Sequence, residues 1–289
     1  MFAAFLLGII QGITELFPVS SSGHLLLIGT LNDSLGLGLD LSFQNTSFDV
    51  ILHVASFLAI VIFYRKVLRQ MLLNAKTEAG RNLLRNLALT ALPALVAGGA
   101  LFILGDGAVK QPVIASFALI IVGIFLIIAE FKVPAEAVAE NTSSRSQLFT
   151  SDPKDYTPLG KLTVSNALTI GIIQAFSLIR GVSRSGSTML GGLTQGLSRS
   201  LAVDYAFLSG LPLFAVLTLV EIWQLTSNPS VVNASVAQLV IGFLTTFIVS
   251  LLALSAFKRL IKLKGALAGF GIYRIILGLI ILFLLVQAS

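Results

Sequence analysis

Six runs of this chain, residues 47–64, 86–104, 113–131, 202–224, 236–257 and 267–287, are almost wholly apolar. Each is close to the roughly 20 residues that a helix needs to cross the hydrocarbon of a bilayer. Few features constrain a fold more, because a segment in lipid must satisfy its own backbone polar groups, as a helix does internally. With 56% hydrophobic and only 11% charged residues, the sequence reads as an all-α polytopic integral membrane protein. There is no cysteine, so no disulfide framework, thiol nucleophile or thiolate metal site exists. The first residues carry no basic n-region or small-residue cleavage site, so Met1 onward reads as mature protein.

Two further apolar stretches, 1–31 and 163–199, are interrupted by Pro, Gly, Ser and Arg, and each half is too short to cross alone. They read as re-entrant helical hairpins. Non-helical backbone at membrane depth survives only where protein or a water-filled cavity satisfies it, so a cavity is expected at the breaks. Sliding the chain on itself by 163 residues lays GIIQGITELFPVSSSGHLLL (8–27) over GIIQAFSLIRGVSRSGSTML (171–190), with nine of twenty positions identical. The shared Gly8/Gly171, Gln11/Gln174, Ser20/Ser183, Ser22/Ser185 and Gly23/Gly186 carry the match, since aliphatic identities come cheaply in a membrane protein.

Three spans follow each hairpin, so an odd number of crossings separates the hairpins and they must enter from opposite faces. Arg65, Lys66, Arg69, Lys76, Arg81 and Arg85 read as one basic loop, and Lys258, Arg259, Lys262 and Lys264 as another. The positive-inside rule places both in the cytoplasm. The net charge of +6 therefore sets topology and does not indicate a nucleic-acid partner. The expected organisation is an inverted-topology repeat: residues 1–131 (hairpin 1–31 and three spans), a cytoplasmic linker 132–161, and residues 162–289 (hairpin 163–199 and three spans), with both termini outside.

Glu15 is the acidic residue placed deep in an apolar helix, four residues after Gln11 and so on the same face. A carboxylate at that depth is costly unless paired or functional. It could pair with Arg184, hold a divalent cation together with Gln11, or orient His24. Ser20-Ser21-Ser22-Gly23 and Ser183-Arg184-Ser185-Gly186 each open the second helix of a hairpin. Serine caps helix starts, and a helix N-terminus offers free N–H groups to an anion. With the planar fork of Arg184, the two starts describe a cradle for a phosphate or diphosphate. His24, one turn past Ser21, is expected to converge with it, and either side chain could attack phosphorus. Asp49 and His53 could reach the cavity or sit at the interface, Gln174 stands where Gln11 does in the other copy, and Arg274 is expected to snorkel to the surface in preference to touching the site.

These residues resemble the undecaprenyl-diphosphate phosphatases, the bacitracin-resistance integral membrane family, over nearly the whole chain. The family's Glu/Gln, three residues, Glu motif looks like Gln11 to Glu15, followed by PVSSSGH at 18–24. Its second motif looks like 180–188, ending in Thr188, with FDVILH (48–53) and Tyr273-Arg274 as further signatures. The resemblance implies hydrolysis of a long-chain isoprenyl diphosphate to the monophosphate carrier of peptidoglycan synthesis. It further implies Glu15, Ser21, His24 and Arg184 as critical, Mg²⁺ or Ca²⁺ as cofactor, the bacterial inner membrane, and a site open to the outer face. One departure stands out: Arg180 replaces the family's Pro. The alternative is a transporter of polyprenyl phosphate lipids, because inverted repeats with broken helices are also transporter architecture. A homo-oligomer is compatible with the sequence but not specified by it.

Overall fold

In the computed structural model of the protein, residues 1–41, 43, 46–133, 159, 162–227 and 234–288 are described. They form α1 (Phe2–Thr14), α2 (Ser21–Leu35), α3 (Thr46–Leu73), α4 (Glu78–Leu104), α5 (Pro112–Lys132), α6 (Val164–Ala175), α7 (Arg184–Thr194), α8 (Arg199–Ser227), α9 (Val236–Leu260) and α10 (Ala266–Ala288), with a 3₁₀ turn at Phe176–Leu178. No strand occurs among the described residues. Helices α3, α4, α5, α8, α9 and α10 are each long and apolar enough to cross a membrane. The all-α polytopic class expected from the six apolar runs is the one found. Most of the expected linker 132–161 lies outside the described residues.

The helices outrun their apolar cores. Arg65, Lys66 and Arg69 lie on the last turns of α3 and Arg81 and Arg85 on the first turns of α4, so the basic loop expected there shrinks to residues 74–77. Nothing before Asn74 breaks the helix, and long cationic side chains reach outward while the backbone keeps its helical bonds. Thr77 then caps α4, its hydroxyl accepting from the Gly80 N–H at 3.2 Å.

Both hairpins lean on long helices through glycine. A Cβ added at Gly8 would lie 2.9 Å from Thr245 Cβ on α9, and one added at Gly171 would lie 2.6 Å from the Thr90 carbonyl on α4. Close approach of backbones is how helices gain dispersion contact in lipid, where no hydrophobic force drives them together. Threonine hydroxyls use the proximity: Thr246 donates to the Gly8 carbonyl at 3.2 Å and Thr90 to that of Ala167 at 3.0 Å.

The hairpins begin at opposite ends of the bundle. Ala3, Ala4 and Leu7 of α1 pack with Phe48 and Leu52 at the start of α3. The approach to α6 is instead held at the start of α4, where Asn86 Nδ2 donates to the Leu162 carbonyl at 2.6 Å. Since α3 and α4 are joined by the short turn 74–77, these starts lie at opposite ends. Two acidic residues outside the candidate site brace the α4-start end. Glu130 accepts from both terminal guanidinium nitrogens, Nη1 and Nη2, of buried Arg199 at 3.1 Å and from the backbone N–H groups of Gly265 and Leu267 at 2.8 and 2.9 Å. Asp204, buried in α8, accepts from Tyr64 at 2.5 Å and pairs with Lys258 at 2.6 Å.

Candidate active site

Each hairpin turns on a strained serine. Ser20 and Ser183, at φ 72° and 70°, are the two non-glycine residues with positive φ among the described residues. Backbone held in such a region costs on the order of 1–3 kcal/mol and persists only where surroundings over-determine it. Here the restraints are the same in both copies. Ser20 Oγ accepts from the Gly23 N–H at 3.3 Å and Ser183 Oγ from that of Gly186 at 3.2 Å. Each also meets the hydroxyl two residues on, Ser22 or Ser185, at 3.2 Å.

The two turns are stitched together. Ser22 Oγ accepts from the Gly181 N–H at 3.3 Å, and the Ser185 hydroxyl lies 3.2 Å from both the Glu15 and Phe17 carbonyls. Arg274 does most of the joining. It is fully buried and donates to the carbonyls of Leu119 (3.4 Å), Pro18 (2.9 Å), Gly181 (2.6 Å) and Val182 (3.1 Å). The expected snorkelling is therefore wrong: broken helices expose carbonyls inside the bundle, and a guanidinium that satisfies four of them has no reason to leave.

At the junction, Glu15 caps the end of α1, just past the helix in which the sequence placed it. Its Oε2 accepts from Ser21 Oγ at 2.8 Å and from Gln11 Nε2 at 3.3 Å, and its Oε1 from Arg184 Nη2 at 3.4 Å. Arg184 is the first residue of α7. Its Nη1 donates to the Ala206 carbonyl at 3.2 Å, and its guanidinium sits 4.2 Å above the Phe214 ring, a contact with no signal along the chain. Glu15, Ser20, Ser21, Ser22, Ser183 and Arg184 line one end of a cavity of about 730 Å³, whose long walls are apolar faces of α4 (Ala94 to Phe102) and α8 (Leu213 to Trp223), with His53, Asp106 and Lys110 adding polar groups. A polar end with a long greasy wall suits a ligand with a charged head and a hydrocarbon tail.

The remaining candidates divide. His24 does not converge with Ser21 and is not oriented by Glu15. Its Nδ1 is 2.7 Å from the Ser20 carbonyl and its Nε2 2.6 Å from the Tyr273 hydroxyl, with the two rings stacked at 5.5 Å, and it lines a different cavity. One helical turn separates Ser21 from His24, but the turn carries the imidazole off the face that meets Glu15. Thr188 and Gln174 are fully buried and bonded to one another at 2.9 Å, and Gln174 also donates to the Thr90 carbonyl at 3.4 Å, so this pair packs the second hairpin and lies away from the cavity. Gly186 is buried beside Pro18 and Ser183, and Gly23 faces the Leu119 side chain. His53 lines the large cavity, and Asp49 lies within reach of the charges of His53 and Arg180. The backbone N–H of Arg180 donates to the Val109 carbonyl at 3.0 Å, which sets that side chain by the 105–111 turn.

The oxygens available to a hard cation are few. No three His, Asp or Glu side chains converge among the described residues. Buried Gln11 Oε1 lacks a partner, however, and lies on the side chain that already touches Glu15. An orphaned amide oxygen, a carboxylate and a hydroxyl fit an ion such as Mg²⁺, which takes one or two carboxylates, water and substrate phosphate.

Six crossing helices around two broken hairpins, whose serine-rich helix starts meet at a Glu–Arg pair, define a polytopic membrane protein with a polar site inside its bundle. The chain belongs to the family described as bacitracin resistance protein BacA, which it matches over residues 4–280. It is similar to proteins named undecaprenyl-diphosphatase. One from Methylobacillus flagellatus is 31% identical over 283 residues, 96% of each chain. One from Wolinella succinogenes is 32% identical over 285 residues, 99% of this chain and 98% of that one. Undecaprenyl-diphosphatase 1 of Chromobacterium violaceum is 31% identical over 287 residues, covering 98% and 95%.

Proposed function

We propose that this protein hydrolyses undecaprenyl diphosphate to undecaprenyl phosphate and inorganic phosphate, the activity its relatives' names state. The observation that carries the site assignment is the 2.8 Å hydrogen bond from Ser21 Oγ to Glu15, with Arg184 on the other carboxylate oxygen, at the polar end of an apolar-walled cavity. In this reading the diphosphate lies between the two helix starts, held by the Arg184 fork and by free N–H groups. Ser21 Oγ attacks the terminal phosphorus, its proton passes to Glu15, and the lipid monophosphate leaves taking that proton, which returns Glu15 to its carboxylate form. Water then attacks the phosphoserine, its proton passes through Glu15 to the departing Ser21 Oγ, and inorganic phosphate and Ser21 are freed. Gln11, Glu15 and Ser21 would hold a Mg²⁺ or Ca²⁺ ion, whose charge would offset that of the diphosphate. Most of the rate comes from positioning and electrostatics.

His24, with both ring nitrogens engaged away from Ser21, is a positioning residue in this scheme: it holds the Ser20 carbonyl and so the strained turn. The two halves form an inverted-topology repeat, supported by the matched serine joints and the opposite starts of the hairpins. The cavity runs toward the 105–111 turn through Asp106, Val109 and Lys110, which loop charge places outside, so the enzyme works on the outer leaflet of the bacterial inner membrane. The experiment is a phosphoenzyme trap in purified protein given a long-chain isoprenyl diphosphate. A base-labile, acid-stable phosphate on Ser21 is expected; an acid-labile linkage on His24 would overturn the assignment. A second reading, transfer of lipid phosphate between leaflets, draws on the opposite starts of the hairpins. Carrier movement across sealed vesicles by a hydrolytically dead variant would support it.

A further inference from the structure

A second cavity, of about 540 Å³, lies on the other side of the Ser20 turn. Its walls are apolar, Phe17, Leu260, Leu263 and Phe270, and its polar groups are few: Thr14, the bonded His24–Tyr273 pair, and Lys264. Its place in the chain is not arbitrary. Thr14 lines it where Ser177, 163 residues on, lines the large cavity. The turn after α9 bounds it as the turn after α4 bounds the other. The two are counterparts, opening toward opposite ends of the bundle.

The charges on the walls differ. The large cavity carries the Arg184 guanidinium and Lys110 together with Glu15 and Asp106, while the second offers a single Lys or Arg, Lys264, which has no ion-pair partner among the described residues. Lys264 stands on the same turn as Lys262, a few residues after Lys258 and Arg259. One exposed ammonium at the mouth of an apolar slot matches a lipid whose head is a phosphate monoester. Beyond the slot, Ile276 and Ile280 form an exposed strip of α10 along which a long chain could leave.

We propose that this cavity is a second lipid site that takes a long-chain isoprenyl monophosphate, its phosphate at Lys264 and its first isoprene units over Phe17 and Phe270. The isoprenyl identity of the chain rests on the hydrolase reading above; the site itself does not. His24 and Tyr273 form its floor, so the same imidazole that steadies the Ser20 turn separates the two lipid sites.

The experiment uses full-length protein in nanodiscs with a photoreactive long-chain isoprenyl monophosphate, labelled peptides being mapped by mass spectrometry. Label is expected on residues 260–273 as well as on α4. A Cβ added at Gly269, which lines the cavity, meets nothing within 4 Å, so Gly269→Phe should fill the space without straining the helix. It should cut label on 260–273 by at least about fivefold, the equivalent of roughly 1 kcal/mol, while phosphate release stays within about twofold of the parent. Lys264→Glu should raise the probe concentration for half-maximal label by at least about fivefold, since one cation near a membrane surface is worth roughly 1 kcal/mol. Gly269→Leu, smaller, is the check should Gly269→Phe lose phosphate release. Absence of label on 260–273, label indifferent to both Gly269 variants, or displacement by equimolar phosphatidylglycerol would each overturn the proposal. Loss of hydrolysis in Ser21 variants bears only on the catalytic reading, so the two can fail separately.

Discussion

Ser21 Oγ donates to Glu15 Oε2 at 2.8 Å across the break between α1 and α2. A hydroxyl held on a buried carboxylate is a nucleophile beside its base. Ser21→Ala and Glu15→Gln should each lower phosphate release from a long-chain isoprenyl diphosphate by at least about 100-fold, the range of a lost general base. The double variant should be little worse than either, because residues acting as a unit do not add. Additive losses would show that they act separately.

His24 separates a positioning role from a chemical one. An amide side chain can still bond the Ser20 carbonyl or the Tyr273 hydroxyl, so His24→Gln should retain several times the activity of His24→Ala, with kcat affected more than KM. Equal and complete loss in both variants would point back to direct attack by the imidazole.

Arg274 donates to four carbonyls from within the bundle. Arg274→Met should cost at least about 3 kcal/mol, since hydrogen bonds to charged groups contribute roughly 1.5–3 kcal/mol each and their carbonyls would be stranded. Thermal unfolding in detergent should report a large fall in Tm. Arg274→Lys should recover only part of it, because one ammonium cannot reproduce a planar fork. A Tm unchanged in Arg274→Met would remove the joining role.

Gln11 bears on the cation. Chelation should abolish most phosphate release and Mg²⁺ should restore it. Gln11→Glu, placing a second carboxylate beside Glu15, should lower the Mg²⁺ concentration needed for half-maximal rate. A requirement indifferent to this change would place the cation elsewhere.

Gly171 packs against the Thr90 carbonyl with no room for a side chain. Gly171→Val should destabilise by about 1–3 kcal/mol through overpacking, seen as a lower Tm with the phosphoenzyme still formed at low temperature.

Much of this was legible along the chain. Apolar runs of crossing length named six helices, and the match between PVSSSGH and GVSRSGS, 163 positions apart, marked both breaks. Other features were not. Nothing along the chain brings Tyr64 and Lys258 to Asp204. The family resemblance made Thr188, and the repeat Gln174, look like site residues, yet they bury one another.

The sequence by itself determined which segments lie in the membrane and which residues are too costly to bury without a partner, because hydropathy, span length and helix capping act locally. Only the tertiary structure decided how the costly residues pair. Ser21 and His24 are three residues apart, yet one faces Glu15 and Arg184 and the other Tyr273, 249 positions away. Side-chain direction at a broken helix is set by the strained φ of Ser20 and by the carbonyls that Arg274 gathers, and those constraints come from distant parts of the chain.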